Sequence, residues 1–225
     1  MNKDENILLL VGSPKNSSST SASLGDYLTL RLEELGQSIE KEYIYKLITK
    51  EEGQKQILSM VDNADFIILA FPLYVDCLPA GVIETLELIA NHRKSLNNPK
   101  KIGFVVLINC GFPEAEQNIT AIAICKIFAH EVGFEWKGAL SLGMGGAIGG
   151  RSVEERGGMV RNLKKGYNLA AKALAEGKNI PEEAIALVAK RFIPISLYAK
   201  MGNSGWKKQA KKFGVREIIE AKPYL

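Results

Sequence analysis

Residues 6–21 read Asn6-Ile7-Leu8-Leu9-Leu10-Val11-Gly12-Ser13-Pro14-Lys15-Asn16-Ser17-Ser18-Ser19-Thr20-Ser21. An unbroken apolar run that stops at a glycine is the signature of a strand buried on both faces. The serine-rich turn leads directly into a helical pattern over about 20–35, so the segment is strand, turn, helix. Backbone N–H groups at a helix start and the positive end of its dipole suit a phosphate, and hydroxyls add neutral donors. A plain N-cap is the alternative, since Ser and Thr are preferred there in any helix. Seven hydroxyl side chains between positions 13 and 23 exceed what one cap requires. No Gly-Lys-Ser/Thr closes the loop, which excludes a Walker site, and Gly12 stands alone where a dinucleotide fold needs GxGxxG. Gly12 and Ser13 also occupy the place where a phospho-acceptor receiver domain would carry acids.

The same alternation continues along the chain. A strand is expected over 39–44, a helix over 51–63 and a second buried strand over 66–71, stopped by Pro72. A helix follows Pro79 to about Arg93. Residues 102–109 form the next buried strand, and 114–132 a helix with apolar residues at 119, 122, 123, 127 and 128. A fifth strand spans 136–142, glycines dominate 143–158, and a helical pattern returns over 160–176. Five strands alternating with helices through short loops predict an α/β fold with a parallel sheet covered on both faces. Gly177 and Pro181 mark the one boundary, dividing a main domain over 1–178 from a C-terminal helical extension over 179–225. Short helices are expected there over 181–190 and 204–213. The extension is too small to bury a core alone.

At 225 residues and 46% apolar, the chain suffices for one such domain plus an appendage. Its longest apolar stretches are too short for a membrane span, and the polar opening residues lack the apolar region of a secretory signal. A cytoplasmic protein without membrane or nucleic-acid partners is the expectation. Cys77, Cys110 and Cys125 are too few for a disulfide framework and match neither zinc nor cluster spacing, so no metal is expected. The net charge of +4 is uneven: residues 190–225 carry +7 and the rest −3. A solvated helix face explains this, or an anionic ligand or partner.

Ligands of open parallel sheets bind at the carboxyl ends of the strands, where strand order reverses. Two further loops there are unusual. Phe71-Pro72-Leu73-Tyr74-Val75-Asp76-Cys77-Leu78-Pro79 is a proline-stiffened loop bearing an aromatic, able to border a planar ring. Asn109-Cys110-Gly111-Phe112-Pro113 places a glycine where backbone can approach that ring closely.

Together these residues resemble the NAD(P)H-dependent FMN reductase family of flavodoxin-like proteins. The resemblance covers about 6–175 and is most specific in GSPKxSSST after the first strand paired with PLYxxxxP after the third. It implies a three-layer sandwich with strand order 2-1-3-4-5, FMN as cofactor, NADPH or NADH as electron donor, a small-molecule acceptor, and a homodimer or homotetramer. It implies that Ser13, Lys15, Ser19, Thr20 and Ser21 surround the FMN phosphate. Pro72, Leu73 and Tyr74 would border the isoalloxazine, and Asn109, Cys110 and Gly111 would line its other side. The compact cysteine motif of cluster-bearing relatives is missing, as are the Lys and Asp-Arg that many members show after Pro79. No catalytic side chain is required, because the flavin carries the chemistry. His92 and His130 are expected as solvated or core residues.

Two other functions compete with this reading: a flavodoxin-type electron carrier without turnover, and a non-enzymatic sensor of a phosphorylated metabolite. Gly143–Gly150 and Arg151 either cover the nicotinamide or form a flexible loop. Arg151, Arg156 or Arg161 would meet a 2′-phosphate or face water. In the extension, Phe192, Ile193, Ile195, Leu197, Tyr198, Met201 and Trp206 are expected to pack on the main domain or on a second subunit, near the flavin edge.

Overall fold

The sheet is ordered by burial. In the computed structural model, which describes residues 5–219 and Ala221, three strands are sealed on both faces: β1 (Asn6–Val11), β3 (Phe66–Pro72) and β4 (Gly103–Asn109). The first four residues, and Glu220 and Lys222 of the basic tail, lie outside the described residues. β2 (Ser38–Tyr43) and β5 (Glu135–Leu142) form the edges, and pairing is parallel throughout in the order β2-β1-β3-β4-β5. This is the flavodoxin-like order, and its reversal point lies between β1 and β3.

Helices cover both faces. On one side α1 (Thr20–Glu33), α7 (Arg161–Ala175) and α8 (Glu182–Val188) pack on Ile7, Leu9, Ile68 and Leu107. On the other, α3 (Glu51–Asn63), α4 (Ala80–Ser95) and α5 (Ile119–Glu131) pack on Leu8, Leu10, Ile67 and Val106. Adjacent strand residues alternate between these two cores, as a period of two requires. A short α2 (Ile44–Leu47) interrupts the return from β2, so the second strand ends at Tyr43, one residue before its expected end. Among the described residues no helix is long and apolar enough to cross a membrane.

Two departures from the sequence reading matter. The apolar residues read along α5 divide between its two sides: Ile122 and Phe128 pack against the core, and Ile119 and Ile127 do not. Ala121, Cys125 and Ala129 face the core, while Ile119 and Ile127 are 70% and 64% exposed. A helix apolar on every side carries no phase from which its inner face can be read. At the other end, the helix expected over 204–213 starts earlier. α9 runs over Ile195–Lys212 after Pro194, and only Ala210 of it is buried. α8, by contrast, sends Ala184 and Val188 into the core shared with α1 and α7.

Within that core Tyr167 is fully buried beside Tyr27, with 5.7 Å between ring centroids, and among the described residues its hydroxyl has no hydrogen-bond partner. Burial pushes the phenol far above its ordinary range. A buried donor without an acceptor costs about 1–3 kcal/mol. Tyr167→Phe is therefore expected to raise the thermal midpoint by about 2–4 °C per kcal/mol recovered. An unchanged or lower midpoint in scanning calorimetry would contradict it.

Candidate functional site

Beyond the carboxyl ends of β1, β3 and β4 lies a cavity of about 270 Å³, open to solvent. It is lined by Ser13, Lys15, Ser19, Thr20 and Ser21 from the first loop, by Pro72, Leu73 and Tyr74 from the second, and by Asn109, Cys110 and Gly111 from the third. All eleven residues expected around FMN thus border one space. Ser18, Gly145, Gly146 and Gly149 complete the wall. Lys15 is the one cation among these lining residues, and no carboxylate is among them.

The first loop is held by its own turns. The Asn16 amide donates to the Ser13 carbonyl (2.9 Å) and the Ser18 amide to that of Lys15 (3.1 Å). Ser19 is the N-cap of α1: its Oγ accepts from the Ala22 amide (3.0 Å) and donates to the Asn16 carbonyl (2.7 Å). Its hydroxyl is thereby spent on capping. Thr20 Oγ1 donates to the Gly145 carbonyl (3.0 Å), and Ser21 Oγ to Asn109 Oδ1 (2.9 Å). These two bonds tie the first loop to the other walls. The first amides of α1, those of Thr20 and Ser21, have no acceptor within the helix, and both residues line the cavity. With the Lys15 ammonium and the Ser13 hydroxyl they form a donor set suited to an anion.

The second loop is fastened by the Leu73 amide, which donates to the Asn109 carbonyl (2.8 Å). Tyr74 and Cys77 then pair across a two-residue turn whose central residues, Val75 (φ 49°) and Asp76 (φ 57°), are both left-handed. That conformation costs a branched residue about 1–2 kcal/mol. The strain sits beside the cavity, with Tyr74 on the rim at 43% exposure.

Cys110 lies at the base of the third loop, only 3% exposed, its thiol directed at the Glu114 carbonyl (3.4 Å). Burial is the main cause of a thiol pKa raised above the usual value. The thiolate is therefore suppressed at neutral pH, and Cys110 is expected to escape iodoacetamide in the folded protein at pH 7.5. Peptide mass mapping that found it rapidly alkylated would contradict this.

The glycine segment after β5 is packed, not loose. The Gly145 amide donates to the Cys110 carbonyl (2.8 Å). Gly150, at φ 73°, approaches the first loop so closely that a Cβ there would stand 2.1 Å from the Ser18 carbonyl oxygen. Arg156 directs its guanidinium at the Ile148 carbonyl, which fixes this segment. Arg151 and Arg161 face water. The wall glycines were visible in the sequence as a cluster, but a residue without a side chain does not state what its backbone will touch. Tyr198 of α9 adds a contact at the rim, its hydroxyl donating to the Gly111 carbonyl (2.9 Å).

His92 meets Asp62 at 2.7 Å on the helical surface and His130 is solvated, so neither reaches the cavity. Among the described residues no cluster of His, Cys, Asp and Glu is arranged to hold a metal.

No protein-family model matches the sequence. No curated protein matches it either. Solved structures share its fold. An FMN-dependent NADH-azoreductase from Bacillus anthracis, solved with FMN, is 15% identical over 76% of this chain and 99% of its own, with a TM-score of 0.53. The NAD(P)H:quinone oxidoreductase of Methanothermobacter marburgensis is 15% identical over 76% of this chain and 96% of its own, also at 0.53. Rubredoxin oxygen:oxidoreductase from Desulfovibrio gigas is 13% identical and reaches 0.54 over 82% of this chain and 37% of its own. At these identities the likeness establishes the flavodoxin-like fold.

Proposed function

We propose that the cavity holds FMN and that the protein is an oxidoreductase passing electrons from NADH or NADPH to a small acceptor such as a quinone, free flavin, nitro or azo compound. The observation that carries this is the meeting of three sequence-distant loops around one acid-free cavity at the β1/β3 reversal point, with the start of α1 at its edge. The FMN-dependent NADH-azoreductase and the NAD(P)H:quinone oxidoreductase support the reading through their shared architecture.

The residues present fit the cofactor. A phosphate dianion would be held by Lys15, the Ser13 hydroxyl and the amides of Thr20 and Ser21, while Ser19 caps the helix that presents them. Pro72, Leu73 and Tyr74 would border the ring, with Asn109, Cys110 and Gly111 along its other side. Bound FMN would supply two-electron redox chemistry. The protein's part is to fix the ring, keep one face open to donor and acceptor in turn, and exclude water from the other. Ser21 and Asn109 hold the two walls in register through their buried hydrogen bond. A cytoplasmic setting belongs to the same proposal.

Protein reconstituted with FMN under argon tests the reading. It should be yellow and bleach rapidly with NADH or NADPH, and the colour should return on adding a quinone or azo dye. Colour without nucleotide-driven bleaching would identify an electron carrier, and failure to retain any flavin would overturn the assignment.

A further inference from the structure

α9 divides lengthwise into an apolar side and a basic side, and the body covers neither. Ile195 and Trp206 of the helix and Phe213 just beyond it repeat at the helical period on one stripe, 43%, 67% and 69% exposed. Lys200, Lys207, Lys208, Lys211 and Lys212, all exposed, occupy the other half of the circumference, interrupted by Leu197 and Met201. No acid occurs between Glu183 and Glu217 to neutralise them. Among the described residues, only the turn over Arg216–Ile218 that follows the helix packs substantially on it.

Such a helix has little support of its own. Gly202-Asn203-Ser204-Gly205 in its middle carries low helix propensity, and an isolated helix of this length is marginal in water. A Cβ at Gly202 or Gly205 meets nothing within 4 Å, so these glycines make room for no neighbour in the protomer. The nature of the missing surface follows from the two sides. A nucleic acid or an acidic protein would take the lysines and leave Trp206 and Phe213 in water. A neutral groove would take the stripe and gain nothing from the charge. An anionic bilayer uses both, because apolar side chains enter the boundary between headgroups and acyl chains while cations need only be near. A helix about 10 Å across keeps all five lysines within about one Debye length of the headgroups, including those turned toward water. Lys207 and Lys212 stand about 110° to either side of the stripe, where flexible stems reach the headgroups directly.

We propose that α9 docks the protein on an anionic lipid surface, lying in its plane with Ile195, Trp206 and Phe213 directed at the acyl chains. No span is involved, since among the described residues no helix is long and apolar enough to cross. The Tyr198 hydroxyl on the Gly111 carbonyl roots α9 at the cavity rim one turn from Ile195, so the docked surface adjoins the cavity mouth. The docking does not depend on what the cavity holds.

Flotation of the full chain without added flavin tests this. At about 0.1 M salt it should float with vesicles of equal parts phosphatidylcholine and phosphatidylglycerol and stay in solution with phosphatidylcholine alone. Tryptophan emission should shift to the blue on binding, and Trp206→Phe should remove the shift. Lys207→Glu with Lys211→Glu changes the local charge by four, and its vesicle affinity should fall at least about 100-fold. Trp206→Ser with Phe213→Ser should lose a similar factor through the apolar side. All four positions are exposed, so the thermal midpoints should hold. A wild type that leaves the anionic vesicles unbound, or either double variant floating as the wild type does, would overturn the proposal. So would tight binding of a DNA duplex that the vesicles fail to displace, which would give the lysine side to nucleic acid.

Discussion

In the Gly150→Ala protein, FMN affinity is expected to fall about 100-fold and the thermal midpoint to drop by several degrees. The added Cβ would lie 2.1 Å from the Ser18 carbonyl oxygen and 2.7 Å from its carbon. Backbone cannot swing aside as a side-chain tip can, so the first loop must move. The left-handed φ of 73° adds about 1–2 kcal/mol for any L side chain. Displacing Ser18 shifts the Ser19 cap and with it the amides of Thr20 and Ser21, which are proposed to face the phosphate. Gly158→Ala is the control, because a Cβ there meets nothing within 4 Å. Fluorescence titration of both proteins with FMN checks the result, and equal affinities would contradict it.

Thr20→Glu is expected to abolish measurable FMN binding while leaving the fold almost unchanged. Position 20 opens α1, where a carboxylate is favoured by the helix dipole and offsets the loss of the Thr20 bond to the Gly145 carbonyl. The same carboxylate would stand in the cavity against an incoming dianion, with Lys15 the lone cation among the lining residues. Like charges in that geometry cost several kcal/mol, corresponding to a loss above about 100-fold. Calorimetric titration with FMN beside a melting curve separates the two effects. A melting point lowered by more than about 5 °C would show that the variant acts through stability, and retained binding would show that the phosphate lies elsewhere.

Strands β1, β3 and β4 were legible in the sequence because burial on both faces leaves an uninterrupted apolar run with nothing to misread. The helix over 51–63 was equally plain, its apolar residues falling on one side. α5 was found, but its orientation was not, since isoleucines occupy both the inside and the outside of the turn. α9 was foreseen only in its second half: Gly202-Asn203-Ser204-Gly205 carries low helix propensity, and what surrounds it is tertiary. In β5 the extra residue opposite Phe104 and Val105, with Gly138 at φ 124°, follows from the approach of Ile180, which no local pattern announces.

The candidate site divides in the same way. Three loops could be placed beside one another because each follows a strand whose order the α/β rules constrain. The glycine segment was read as either a cover or a flexible loop, and Gly145, Gly146 and Gly149 form part of the wall. Ser19, expected beside the phosphate, lines the cavity and also caps the helix. Tyr198 reaches the rim from far along the chain through a single hydroxyl, a contact that spacing cannot reveal.

Parallel titration of the apoprotein with FMN and with riboflavin, which share the ring and differ by the phosphate, tests the central claim most directly. Two charge-assisted hydrogen bonds to that group are worth about 3 kcal/mol or more, so FMN should bind at least about 100-fold more tightly. Equal affinity for the two flavins, or no binding of either, would contradict the account.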